Sequence, residues 1–165
     1  MSGKTNELVG WVNETSPLYD AREYDAVVSS GENVTAGLMA LTLQEMEVPA
    51  RSWQGWQVPV KTTSAHSAAR IEEIPSDNIM AKFGEGMKVA VVAGFQGVSP
   101  EGRITTLGRG GSDTTAVAFA AHTPHSIDQV GQRKRQNVES QSIRPCTVLR
   151  KSFCTTYVQC IIIAD

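Results

Sequence analysis

Apolar and polar positions along the chain alternate in blocks that predict a succession of short helices and strands. Residues 20–30, DAREYDAVVSS, end in a small apolar run that leads to Gly31-Glu32 and reads as a strand-to-helix junction. From Glu32 to Glu47, Val34, Leu38, Leu41 and Met46 recur near helical spacing, which predicts a helix. Val48-Pro49 ends it, because proline disfavours a helical residue before it. ARSWQGWQVPV is a short extended segment, with Trp53 and Trp56 assigned to buried packing; SAARIEEI is a further strand or turn. The clearest strand is VAVVAGF, residues 89–95. Its unbroken apolar run implies burial on both faces, as in a parallel sheet covered by helices. Pro100-Glu101-Gly102-Arg103 predicts a tight turn. Ser112-Asp113 then caps a helix from residue 114 to about 121. The fold class expected is α/β with a mainly parallel sheet between helical layers, and no internal repeat is visible.

Composition narrows the function. The chain has 165 residues, 41% hydrophobic and 19% charged, which fits a folded globular domain. A net charge of −2 argues against nucleic acid as the main partner. No run approaches the ~20 apolar residues of a membrane helix, and the first ten residues lack the pattern of a signal peptide. A cytoplasmic location with no membrane partner is expected. Cys146, Cys154 and Cys160 fit no zinc spacing, so no metal site is expected. Charge is unevenly spread: residues 1–121 carry a net of −5 and residues 122–165 a net of +3. The break is read as the junction between one domain, 1–121, and an atypical tail, 122–165, of frame-shifted or unrelated origin. Val148-Leu149 and residues 157–163 of that tail are β-formers.

Three polar loops carry the candidate chemistry. Gly108-Arg109-Gly110-Gly111-Ser112-Asp113 is a glycine-rich turn opening a helix, where unpaired N–H groups and the helix dipole favour an anion. Arg109 adds a cation able to grip a carboxylate or phosphate through two hydrogen bonds. Ser2-Gly3-Lys4-Thr5-Asn6 is a second small loop, without the glycine spacing of a Walker motif. Ser29-Ser30-Gly31-Glu32 is a third, and it presents a carboxylate. One basic and one acidic loop suit a zwitterionic or phosphorylated small ligand. Each alone reads equally well as an ordinary capped turn. A different class of function also stays open: Ser112 sits at a turn faintly like a nucleophile elbow. His66, His122 or His125 would be its base and Asp113 or Asp128 an orienting carboxylate, for a cofactor-free, esterase-type serine hydrolase. A third possibility is a non-catalytic fragment.

Taken together, MSGKTNELVG, VVSSGENVTAGLMALTLQEMEVPARSW and VAVVAGFQGVSPEGRITTLGRGGSDTTAVAFAA resemble the catalytic domain of the bacterial aspartate kinase (aspartokinase) family, from Met1 to about Ala121. The resemblance implies the amino-acid-kinase fold and the MgATP-dependent phosphorylation of the L-aspartate β-carboxyl, which opens lysine, threonine and methionine biosynthesis. It places Thr5, Glu32, Arg109 and Ser112 in contact with aspartate, Glu32 on the ammonium and Arg109 on a carboxylate. Gly3, Gly110 and Gly111 would lie near the transferred phosphate, and Asp113 would organise the transfer site. The family's opening Lys-Phe-Gly-Gly-Thr-Ser strand has no counterpart here; Lys82-Phe83-Gly84 is out of place and lacks the second glycine. Nothing after Ala121 matches the family's nucleotide-holding segment or its regulatory ACT domains. The fold is therefore expected to be incomplete, kinase activity to be very low or nil, and copies of the chain to self-associate with residues 157–163 contributing.

Overall fold

The computed structural model describes residues 3–108, 110–122, 147–148 and 160–164. Five helices and eight strands are formed among them: α1 (Lys4–Thr15), α2 (Ala21–Val28), α3 (Ser30–Glu45), β1 (Ala50–Trp53), β2 (Lys61–Thr62), β3 (Ile71–Glu73), α4 (Asp77–Gly84), β4 (Val89–Ala93), β5 (Gln96–Val98), β6 (Ile104–Thr106), α5 (Gly111–His122), β7 (Thr147–Val148) and β8 (Cys160–Ala164). The α/β architecture is the one the sequence predicts. The sheets are mixed, however: β1–β4 and β2–β5 pair in parallel, and the other described pairs run antiparallel.

The first sheet has the order β1-β4-β8-β7. All five residues of β4 are buried, as its apolar run requires. It pairs with β1 in register from Ala50 opposite Val89 to Trp53 opposite Val92. Successive side chains leave opposite faces of a strand, so β4 feeds two cores. Ala90 and Val92 join Ile79, Phe83, Met87 and Phe119 on the α4–α5 side. Val89, Val91 and Ala93 join Ala36, Ala40 and Ala50 on the α3 side. Each fully buried valine contributes about 1.5–3 kcal/mol, which makes β4 the energetic centre of the molecule.

Helix α3 meets this sheet through its alanines, whose small side chains permit close approach. The stripe read from the sequence, Val34, Leu38 and Leu41, lies on the opposite, exposed face, and Met46 just beyond the helix is exposed as well. The helix ends through Glu47 in the left-handed region (φ 60°), just ahead of Pro49. Trp53 packs partly buried against the α4–α5 core, as expected. Trp56 does not: it is half exposed, with its indole nitrogen donating to Gln54 Oε1 at 2.8 Å.

The second sheet has the order β3-β2-β5-β6. Its β5–β6 hairpin closes through the expected turn, with Gly102 at φ 76° donating to Ser99 O and Ser99 N donating to Arg103 O.

Four local readings need correction. The 20–30 segment is helical rather than extended, because Asp20 caps it by accepting from Arg22 N at 2.7 Å and Asp25 and Val28 share its buried face. The 29–32 segment is therefore a helix-to-helix joint, and Gly31 and Glu32 lie in the first turn of α3. Lys4, Thr5 and Asn6 belong to α1, which starts at Gly3 (φ 87°), a conformation glycine adopts without steric cost. Helix α5 begins at Gly111, so Ser112 and Asp113 occupy its first turn instead of preceding it. The β-forming end of the chain does enter the first sheet: β8 runs antiparallel to β4, with Val91 opposite Ile162. The position beside β4 is thus filled by the chain itself and not by a second copy. Residues 157–159 lie outside the described residues.

Candidate functional site

In open α/β sheets, ligands bind outside the carboxyl ends of the strands. Here β4 ends at Ala93, and the chain turns through Gly94 and Phe95 against the start of α5. A Cβ added at Gly94 would lie 3.1 Å from Ser112 Cα, and one at Gly111 would lie 2.7 Å from the Phe95 ring. Both glycines are there because strand end and helix start nearly touch. Phe95 holds a left-handed conformation (φ 67°). A non-glycine residue there stores of order 1–3 kcal/mol, a strain that clusters at functional sites. Two bonds pin it: Phe95 N donates to Thr115 Oγ1 at 3.2 Å, and Leu107 N donates to Phe95 O at 3.0 Å.

The 108–113 turn bends through Gly108 and Gly110, both at φ 76°. Gly110 is exposed with open space where a Cβ would stand, while Gly111 is buried, Ser112 half-buried and Asp113 exposed. The first turn of α5 therefore presents its N–H end beside open space, as an anion site requires. Arg109 lies outside the described residues.

Glu32 is the most unusual group of the site. It is only 3% exposed, and its Oε2 has no hydrogen-bond partner among the described residues. Burial pushes its carboxyl up to about 7, against a smaller lowering by a backbone hydrogen bond. Among the described residues no cation pairs with Glu32 and no donor reaches Oε2, so an ionised carboxylate here is only partly stabilised.

Gln96 connects this helix start to the strand ends. Fully buried, it donates through Nε2 to Asn33 Oδ1 at 2.8 Å and to Ser29 O at 3.4 Å, and accepts from Gly55 N at 3.4 Å. Glu32 sits between Ser29 and Asn33 on α3, so Gln96 ties it to the β4–β5 corner. Thr5 is half-buried in the first turn of α1. One turn along that helix, Leu8 comes within 3.2 Å of where a Cβ on Gly31 would stand. Gly3 is exposed at the helix start. The structure thus gathers Gly110, Gly111, Ser112 and Asp113 at one helix start, and straps the helix carrying Glu32 to the same corner.

Sequence reasoning missed Gln96 and Asp25. Asp25 is fully buried and accepts from Thr106 Oγ1 at 2.6 Å, from Ser67 N at 3.1 Å and from His66 Nδ1 at 2.7 Å. The available signal was an acidic residue three positions before Val28, on the apolar face of α2.

The serine hydrolase alternative gains no support. The His66 ring is 8% exposed and engaged by Asp25, while Ser112 backs onto Gly94. His122 closes the far end of α5, roughly 15 Å along the helix from Ser112. His125 and Asp128 lie outside the described residues. Among the described residues no cluster of three His, Cys, Asp or Glu could hold a metal ion, and no helix is long and apolar enough to cross a membrane. A cavity of about 320 Å³, lined by Pro49, Arg51, Lys82 and Met87 among others, lies at the amino ends of β1 and β4, away from this site.

Fold and site together define an α/β protein with a glycine-rich helix start at its strand ends and a buried acidic group on the helix strapped to the same corner. Residues 4–123 match the model of the amino acid kinase family, and the chain belongs to that family. It is 48% identical over 124 residues to the aspartokinase of Rickettsia conorii, covering 73% of this chain and 31% of that protein. To the aspartokinase of Pseudomonas aeruginosa it is 52% identical over 121 residues, covering 73% of this chain and 29% of that protein. Among solved structures it resembles E. coli aspartokinase III in complex with aspartate and ADP, with TM-score 0.58 and 28% identity over 71% of this chain and 27% of that one. It also resembles the aspartate kinase of Synechocystis, with TM-score 0.57 and 43% identity over 73% of this chain and 19% of that one. The chain spans less than a third of the length of these curated relatives.

Proposed function

We propose that this chain forms the amino-acid-recognising part of an aspartate kinase site, for the transfer of a phosphoryl group from MgATP to the β-carboxyl of L-aspartate. The observation that carries the reading is Glu32: a buried carboxylate whose Oε2 has no partner among the described residues. An α-ammonium supplies both things this group lacks, a counter-charge and hydrogen-bond donors. The half-buried Ser112 would hold a substrate carboxylate, assisted by Arg109, and Thr5 would border the same pocket.

The described residues fit the terminal phosphate of a nucleotide. Gly110 leaves open the volume a Cβ would fill, and the first turn of α5 stands behind it. Gly110 and Gly111 would hold that phosphate through their backbone, and Asp113 would help organise the transfer site, with Gly3 at the edge. The nucleotide, when bound, supplies the phosphoryl group. What this chain adds is placement: orienting the β-carboxyl and excluding water around Glu32 make transfer productive, because phosphoryl transfer depends on positioning and charge neutralisation.

Calorimetry with L-aspartate and with succinate, which lacks the amine, tests the reading. The expected result is a preference for aspartate that Glu32→Gln abolishes. Equal binding of both ligands, or a preference that survives the substitution, overturns it. A coupled assay with MgATP then separates recognition from catalysis: turnover near the ~1–100 s⁻¹ of kinases would show that these residues suffice for the whole reaction.

A further inference from the structure

Helices α2 and α3 are separated only by Ser29, so whatever fixes the end of α2 fixes the start of α3. Asp25, in the last turn of α2, is that fixing point. Its backbone carbonyl accepts from Ser29 N at 3.0 Å, and Ser29 O in turn accepts from Asn33 N and from Gln96 Nε2. Its side chain reaches the other way. Oδ1 accepts from Thr106 Oγ1 at 2.6 Å, at the last residue of β6, two residues before Gly108.

The remaining bonds hold a covering loop against the same strand end. Asp25 Oδ2 meets His66 Nδ1 at 2.7 Å, a bond the imidazole makes as donor in the tautomer that carries its proton on Nδ1. Ser67 N donates to both carboxylate oxygens at 3.1 Å, and Ser67 is itself in the left-handed region (φ 65°). Ala69 N donates to Thr106 O at 2.9 Å. The loop then lies directly over the turn: Ser67 O would be 3.2 Å from a Cβ on Gly108. One buried carboxylate therefore joins the helix pair that carries Glu32 to the strand and loop that shape the 108–113 turn.

We propose that Asp25 is a positioning residue: its carboxylate fixes the separation between Glu32 and the 108–113 turn, and so the length of zwitterion the two can span. This rests on the reading of Glu32 and Ser112 as contacts for aspartate. Asp25 touches no ligand in this role. It acts through Thr106 and Ser67 on one side and through the α2–α3 joint on the other. A buried aspartate that merely stabilised the fold would lower the melting temperature and leave the geometry of both segments unchanged.

The test uses the isotopically labelled full chain with Asp25→Asn, Thr106→Val and Thr106→Ser. Thr106→Val removes a single hydroxyl at nearly constant shape, so it keeps the proposal testable where Asp25→Asn fails to fold. Without ligand, both disrupting variants are expected to shift the amide resonances of Glu32 and of Gly110 to Ser112 together, while Ser52 and Val91 in the sheet stay in place. Affinity for aspartate falls by about tenfold or more, since small displacements of binding groups are costly. Thr106→Ser, which keeps the hydroxyl, restores both readouts. Shifts confined to His66, Ser67 and position 106, with unchanged affinity, overturn the proposal. A wild-type chain that binds no aspartate overturns the reading of the site instead, and the amide shifts still decide whether Asp25 couples the two segments.

Discussion

Two carboxylates are buried within seven residues of each other, and they are opposites. Asp25 is fully enclosed and surrounded by donors: a hydroxyl, a backbone N–H and an imidazole N–H. Glu32 is almost as deeply buried, yet Oε2 has no partner among the described residues and the carboxyl is pushed up to about 7. Burial alone does not distinguish a structural acid from a binding one. The state of the hydrogen-bond shell is the sharper guide: a satisfied shell belongs to the fold, and one left open among the described residues is the one we propose a ligand completes.

Removing the satisfied acid is the harshest way to test this difference. Asp25→Ala leaves Ser67 N, Thr106 Oγ1 and the His66 ring facing a void. A loss of about 3–5 kcal/mol is expected, as for breaking a buried polar network, read from urea unfolding. A loss below 1 kcal/mol would place Asp25 on the same footing as a surface residue and erase the contrast.

Glu32→Gln is expected to have the opposite sign. Raising a carboxyl from 4.5 to about 7 means that ionising it in the folded protein costs roughly 3 kcal/mol more than in the unfolded chain. Between those pH values the folded state retains a proton that the unfolded state has released. The contribution of Glu32 to stability therefore falls as pH rises through this window and levels off above about 7. At pH 8 the glutamine variant should be about 1–3 kcal/mol more stable than wild type, and near pH 4 almost equal to it. Under the proposed function the gain should come with a loss of aspartate binding, an exchange common where a binding group is held at a cost to stability. In the wild type, aspartate affinity should rise with pH towards and through about 7, because the ammonium pairs with the ionised form. A pH-independent difference between the two proteins would mean that Glu32 is not the titrating group.

Smaller effects calibrate the scale. Thr106→Val deletes one of several donors to Asp25 and should cost about 1–3 kcal/mol, as for a hydrogen bond to a charged group. Lys61 and Glu73 form an exposed cross-strand pair at 2.7 Å. Lys61→Met should change stability by less than about 1 kcal/mol, and less still in high salt.

How far the sequence discloses this contrast depends on what carries each feature. The β4 strand, the 100–103 turn and the helix after the glycine pair were legible because local composition determines them. Glu32 was legible as a candidate through the family motif, but its missing partner was not, since satisfaction depends on residues distant in sequence. Asp25 went unread for the same reason: its partners come from positions 66, 67 and 106. The 20–30 segment was misread because Ala26-Val27-Val28 is apolar whether the chain is extended or helical. Its capping aspartate was the better guide. The α3 stripe misled because alanines, counted as weak hydrophobes, form the true contact face. A helix apolar on both sides offers periodicity no unique answer.

The antiparallel neighbour of β4 has a consequence for how the molecule assembles in time. β1 and β4 can pair as soon as α4 has folded between them, but β8 is synthesised much later, after a long stretch of intervening chain. Until it arrives, one side of the most apolar strand has its backbone amides and carbonyls unpaired. Such late, long-range closure is slow, and a nascent chain waiting for it exposes a sticky edge. The order of synthesis therefore leaves this protein most vulnerable just before β8 docks, and a chaperone that shields β4 during translation should raise the yield of soluble chain.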